Sequence, residues 1–222
     1  MYAMSSNISV GVVNTGVSNA VHVTEALRSV GGDVKIVSNS GVMNRYDRLV
    51  IPGVGSYSPA MLHLDKMNLR PEILEFASSG KPVLGICLGM QLFMNEGVEN
   101  GDTTGLGIVD GSVVSISSLL SKDQMIRVPH IGWSKVHHPV SQKTINGVNE
   151  GPAAKEFYFA HSYTVVPKDS DQIRMSFVNY AGLPLVAAFK KENILGVQFH
   201  PELSGPNGLQ FLEDFLSGEY ML

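Results

Sequence analysis

The sequence predicts an α/β fold: a mostly parallel central sheet flanked by helices, with additional antiparallel strands. Through the first half, short β-branched runs at Ile8–Val13, Val34–Val37, Arg48–Ile51 and Val83–Ile86 alternate with segments of helical spacing. Strands that alternate with helices build a parallel sheet joined by right-handed crossovers. From Gly105 to Phe199 the texture changes. Runs at Ser112–Ile116, Glu156–Phe159, Ile173–Val178, Leu185–Phe189 and Ile194–Phe199 lie between turn residues and read as strands, partly antiparallel. The 222 residues are 44% hydrophobic and 16% charged, which supplies one full core, so 1–222 is expected to be a single domain with a flexible extension at 1–7.

Each element has its local signal. Ser18 is the expected N-cap of a first helix, with Val21, Ala26, Leu27 and Val30 as its apolar stripe and Gly31-Gly32 as its end. A second helix is expected over Arg70–Ser79, with Pro71 in its first turn and Gly80 after its last. Val83–Ile86 reads as a buried strand, Leu88–Asn95 as the helix following it, and Asn207–Leu216 as a closing helix.

Charge and cysteine usage exclude several functions. Sixteen basic against 20 acidic residues leave a net charge of −4, so the basic footprint of a nucleic-acid binder is missing. One cysteine excludes an internal disulfide framework and a cysteine-based zinc cluster, and suits a reducing compartment. No metal or cofactor is expected. The most apolar stretch, Val83–Met94, is broken by Gly85, Gly89 and Gln91 and falls short of the ~20 residues a membrane span needs. The opening MYAMSSN lacks the positive and apolar regions of an export signal. A cytoplasmic protein without membrane contact is expected.

The lone cysteine stands in Gly85-Ile86-Cys87-Leu88-Gly89, at a junction of strand and helix. This is the thiol version of a nucleophile elbow, in which a sharp turn strains the nucleophile's backbone and flanking glycines avoid crowding. A helix beginning just after Cys87 would favour the thiolate. A free thiol is more often an inert buried side chain; the glycine-flanked junction favours the nucleophile. A thiol still wants a base, being only a few per cent ionised at neutral pH. Of the seven histidines, His22 and His63 fall in helices and His137-His138 in a loop, where packed or solvated roles are expected. His200 is different, because it ends an apolar run and is followed by Pro201 and Glu202. In extended backbone His200 and Glu202 project from one face, so the carboxylate can hold the imidazole as in a catalytic triad. By itself His-x-Glu is a weak signal.

Together the two segments resemble the class I, triad-type glutamine amidotransferases, whose elbow reads G-x-C-x-G-x-Q and whose late motif reads FHPE. Here these are Gly85–Gln91 and Phe199-His200-Pro201-Glu202. The resemblance implies a flavodoxin-like sheet, attack by Cys87 on the carboxamide of L-glutamine, proton transfer by His200 and orientation by Glu202. Pro52-Gly53-Val54-Gly55, Pro129-His130-Ile131-Gly132-Trp133 and His161-Ser162-Tyr163 are similar, within that family, to the glutaminase subunits of imidazole glycerol phosphate synthase. From that similarity, Val54, Gly55 and Leu88 are expected to form the oxyanion hole. Gly53, Gln91, Ser162 and Tyr163 are expected to bind glutamine, and Asn14, Asn19, His130 and Trp133 to meet the partner. Taken alone, PGVG is an ordinary tight turn, Gln91 a half-buried polar residue, Ser162-Tyr163 a strand edge and Trp133 core filler.

The implied partner is a (β/α)8-barrel cyclase subunit, in a heterodimer, that takes ammonia into imidazole glycerol phosphate and AICAR in histidine biosynthesis. Two departures bear on it: Asn14 stands where the family has aspartate, and Ser134 where it has asparagine. A paralogue feeding a sugar-amidating partner for surface polysaccharide is the alternative. A non-catalytic relative would be expected to lose Cys87 or His200, and a stand-alone cysteine hydrolase leaves PGVG and PHIGW unexplained. With no P-loop, G-x-G-x-x-G or H-E-x-x-H, a second catalytic domain is not expected and the ammonia goes to another polypeptide.

Overall fold

A computed structural model describes residues 8–121, 126–137, 154–168 and 170–219. The expected extension at 1–7 and His138 lie outside them. In chain order the elements are β1 (Ser9–Val13), α1 (Ala20–Ser29), β2 (Asp33–Val37), β3 (Arg48–Gly53), α2 (Tyr57–Lys66), α3 (Arg70–Ser78), β4 (Val83–Cys87), α4 (Leu88–Gln91) and β5 (Glu96–Gly97). There follow β6 (Thr103–Thr104), β7 (Gly111–Ser115), β8 (His130–His137), β9 (Glu156–His161), β10 (Tyr163–Pro167), β11 (Arg174–Tyr180), β12 (Leu183–Lys191), β13 (Ile194–Val197) and α5 (Gly205–Ser217).

Among the described residues nine strands form one sheet in the order β2-β1-β3-β4-β13-β12-β11-β8-β9. The β2-β1-β3-β4-β13 half is parallel, and the β12-β11-β8-β9 half is antiparallel. β10, β7, β5 and β6 form a smaller second sheet. The parallel strands are apolar throughout because both their faces are covered. Leu49 and Ile51 of β3 turn to a core shared with Leu64, Ile73 and Phe76 of α2 and α3. Val50 between them turns to the opposite core, shared with Val23 and Leu27 of α1 and Leu212 and Phe215 of α5.

Three local expectations are corrected. α1 begins at Ala20 with Asn19 at its cap, not Ser18; of the expected stripe Leu27 is buried and Ala26 and Val30 pack against the core, while Val21 is 57% exposed and Ala20, Val23 and Thr24 are buried in addition. The helix after Cys87 is a single turn, not Leu88–Asn95. The N–H groups of Leu106, Gly107 and Ile108 take the carbonyls of Leu92, Met94 and Phe93, and Asn95 is captured by Gly111, so the chain cannot continue helically. A dipole summed over one turn is small, so α4 does little to favour the thiolate. His137 is not in a loop but closes β8.

The two elbow glycines have a clear steric cause. A Cβ at Gly89 would lie 1.7 Å from the carbonyl oxygen of Ile51, and one at Gly85 would lie 2.5 Å from the Phe93 ring and 2.7 Å from the Gly89 backbone. They are absent side chains that let α4 sit directly on β3 and β4.

Candidate active site

Cys87 ends β4 in register with Gly53 of β3, while β13 pairs with β4 up to the Val197–Ile86 position. The chain must reverse from strand into α4 within one residue. Cys87 therefore takes φ +53°, ψ −110°, a region costly for any residue with a Cβ. The sharp turn expected of an elbow is present. The buried sulfur lines a cleft of about 480 Å³ with Asn19, Val54, Gly55, Leu88, Gln91 and others.

His200 arrives from the exit of β13. Its N–H donates to the Tyr158 carbonyl of β9 at 2.9 Å, and its own carbonyl accepts from Leu203 N–H at 3.0 Å and Ser204 Oγ at 2.6 Å. Glu202 reaches His200 through a turn, not along the extended strand expected from the sequence. β13 stops at Val197, and Pro201–Leu203 form a 3₁₀ turn that folds Glu202 back onto the ring. Pro201 supplies the fixed φ that opens such a turn. His200 Nδ1 and Glu202 Oε1 are 2.9 Å apart, with both side chains buried. Glu202 Oε2 is buried with no hydrogen-bond partner among the described residues, so the carboxylate's charge acts chiefly on His200. Burial alone would lower the His200 pKa. The Cys87 thiolate, the hydrogen bond to it and Glu202 outweigh burial and push the pKa up to about 10. With Nδ1 on Glu202, Nε2 is left for the sulfur.

The predicted oxyanion residues are near the sulfur, but Val54 is engaged elsewhere: its N–H donates to the Val17 carbonyl at 3.1 Å. Gly55 has φ +94° and Leu88 opens α4 beside the sulfur. Gly53 lies so close to α4 that a Cβ would meet Leu88 Cβ at 2.6 Å. Ser162 and Tyr163 line the cleft, yet their carbonyls already accept from Ile116 N–H at 2.9 Å and Gln91 Nε2 at 3.0 Å.

The residues expected at the partner face divide. Trp133 is 54% exposed, with its ring edge-on to Tyr158. Asn19 lines the cleft. Asn14 accepts from Gly16 N–H and donates to Ser38 Oγ, shaping the loop after β1. His130 is corrected: it is 1% exposed and stacked on Phe159 and Tyr180, because the pleat of β8 turns it inward while Ile131 and Trp133 face out. Burial lowers the pKa of His130 to about 4 and of His161 to about 3, so both are neutral near pH 7. A carbonyl only accepts, so His161 donates from Nδ1 to Tyr163 (2.8 Å), and its Nε2 accepts from His130 Nδ1 (3.1 Å). His130 Nε2 then accepts from Ser134 Oγ at 3.0 Å.

Sequence reading missed Gln198. It is fully buried and donates from Nε2 to Cys87 Sγ at 3.5 Å. The available signal was a lone polar side chain inside the apolar run Ile194–Phe199. Tyr158, Ile131 and Leu203 of the cleft wall were also missed, being unremarkable alone.

A strained thiol at the end of a central parallel strand, with a buried imidazole against it, is an arrangement suited to acyl transfer through a thioester. The family follows from the whole chain: residues 11–218 match the family described as Glutamine amidotransferase class-I, and the chain belongs to it. It is 35% identical over 206 residues to the imidazole glycerol phosphate synthase subunit HisH of Wolinella succinogenes, covering 93% of this chain and 98% of that one. With the HisH subunit of Aquifex aeolicus the identity is 37% over 205 residues, covering 92% and 94%. Among solved structures, a glutamine amidotransferase superposes with TM-score 0.69 at 18% identity over 94% of this chain and 98% of that one. PurLQS from Thermotoga maritima does so with TM-score 0.69 at 19% identity over 96% and 99%, and both share the fold. Among the described residues no helix is long and apolar enough to cross a membrane, and no cluster of metal-binding side chains occurs.

Proposed function

We propose that the chain is the glutaminase subunit of an imidazole glycerol phosphate synthase, working through a Cys87–His200–Glu202 triad and passing ammonia to a (β/α)8-barrel cyclase. The observation that carries the chemistry is His200, held between the Cys87 sulfur and the buried carboxylate of Glu202. The thiolate of Cys87 attacks the carboxamide carbon of L-glutamine, with the proton on His200 and the developing oxyanion near Leu88. The C–N bond breaks as His200 returns that proton to the departing nitrogen, giving ammonia and a γ-glutamyl thioester. Water then attacks the thioester while His200 takes its proton. Collapse releases glutamate and restores the thiol pair.

The relatives named as synthase subunits support the partner, as does the exposed Trp133 beside the cleft, a large aromatic of the kind that anchors interfaces. Asn14 and Ser134 depart from the family away from the triad: one shapes a loop, the other ends the histidine chain. The test is co-purification with the host's barrel cyclase, followed by glutamine-dependent formation of imidazole glycerol phosphate. Glutamine hydrolysis with no product in the reconstituted pair would refute the assigned partner.

A further inference from the structure

We propose that Gln198 is a fourth catalytic residue, whose side-chain N–H donates to the Cys87 thiolate and stabilises it independently of His200. The inference rests on the assignment of Cys87 as nucleophile and goes beyond the triad. Its basis is the direction of a buried hydrogen-bond chain.

An amide side chain can present either its oxygen or its NH₂ to a neighbour, and the surrounding network decides which. The decision starts at the Tyr163 carbonyl, which can only accept. It accepts from Gln91 Nε2 at 3.0 Å and from His161 Nδ1 at 2.8 Å, filling both its lone pairs. Gln91 therefore aims its NH₂ inward, and the second hydrogen of that group goes to Gln198 Oε1 at 3.0 Å. With its oxygen taken, Gln198 has its NH₂ left for the sulfur, 3.5 Å away. A flip of Gln198 would face its oxygen to the thiolate and its NH₂ to the NH₂ of Gln91, losing two hydrogen bonds at once. Gln91 and His161 act through Gln198 and are positioning residues.

The chemistry follows from burial. Gln198 is fully buried and Cys87 is 6% exposed, and a donor to an ionised acceptor is worth about twice a neutral bond. The sulfur gains this bond mainly as thiolate, so the donor favours the reactive form. His200 receives the proton on one side, and Gln198 holds the charge on the other. The chain of bonds also gives Gln91 a purpose besides contact with substrate.

Cys87 is the single thiol of the chain, so alkylation by iodoacetamide reports on it alone. In the full chain, Gln198→Leu is expected to move the midpoint of the pH profile of alkylation upward by about one unit. Gln198→Glu keeps the size and still accepts from Gln91, but brings a negative charge to the sulfur, so its midpoint should move further up. Glutaminase kcat/KM should fall in parallel and recover as the pH is raised, which lost packing would not produce. A midpoint equal to wild type in both variants, with near-ultraviolet circular dichroism unchanged, would overturn the proposal. That result is separable from failure of the nucleophile assignment, which shows instead as glutamine hydrolysis surviving Cys87→Ala.

Discussion

The N–H of Val54, just beyond β3 and beside Cys87, donates to the carbonyl of Val17 across 3.1 Å, so a backbone N–H at the cleft is held in another bond. Gly53 and Gly55 flank it, and Gly55 at φ +94° is free to change conformation. A peptide flip would exchange the Val17 bond for one to the oxyanion, and a missing oxyanion donor typically costs ~10²–10³ in rate. Glutamine hydrolysis should therefore be slow in the isolated chain, faster with the cyclase and fastest with cyclase plus its ligand. Equal rates in all three states would dismiss the switch.

Loss of the nucleophile should separate chemistry from folding. Cys87→Ala is expected to lower glutamine hydrolysis by about 10⁴-fold or more, with an unchanged melting transition and retained cyclase binding. His200→Ala should be comparably inactive with glutamine, yet the complex should still form product from ammonium salts. A complex inactive with both nitrogen sources would contradict the division of labour.

Glu202→Ala removes one of the interactions that raise the His200 pKa. Its loss lowers that pKa, so the imidazolium is lost at lower pH and the alkaline limb of kcat/KM moves down from its wild-type position. At pH 9 the variant should lose more than about tenfold relative to wild type. A superimposable pH profile would make Glu202 a bystander.

Gly89→Ala should be strongly destabilising, since its Cβ would lie 1.7 Å from the Ile51 carbonyl oxygen within packed backbone. A cost above about 3 kcal/mol is expected. Gly80→Ala, at φ +80° with open space around it, should cost only about 1 kcal/mol. Denaturant titration compares them, and similar midpoints would contradict the steric account.

His130 and His161 are held neutral by burial, with pKa values of about 4 and about 3 against 6.5 for an unperturbed ring. The unfolded chain binds protons at these rings first, so stability falls as pH drops below about 6.5 and keeps falling toward 4. Each ring contributes up to about 1.4 kcal/mol per pH unit in that window. His130→Phe should flatten the slope by about one ring's share. An unaltered slope in urea titrations between pH 4 and 6.5 would show that His130 is not held neutral.

The residues that specify themselves locally were legible in the sequence. Alternating β-branched runs give the two covered faces of a parallel sheet, and glycines two residues either side of Cys87 mark a turn that only small neighbours permit. His200 and Glu202 were found together, although a 3₁₀ turn at Pro201 joins them, not an extended strand. Backbone sterics and short-range periodicity act within a few residues, so one stretch of sequence carries them. The boundaries of α1 and α4 were less legible, because the partners that end a helix come from elsewhere: the 106–108 segment and Gly111 together stop α4.

Only the tertiary structure decided the polar wiring of the site. The Gln198–Cys87 contact spans 111 residues, the Gln91–Gln198 bond 107, and the His130–His161 bond 31. No local preference of a glutamine or a histidine says whether its neighbour will donate or accept. That is settled when the sheet brings β4, β8, β9 and β13 together and buries their polar groups, where each must find a partner of opposite kind. The same burial turned His130 inward from a face on which sequence similarity had set it, and put the Val54 N–H on Val17. Sequence determined where the glycine-flanked thiol and the histidine–glutamate pair stand; three-dimensional packing decided which way each buried proton points, because hydrogen-bond direction is a property of the assembled network.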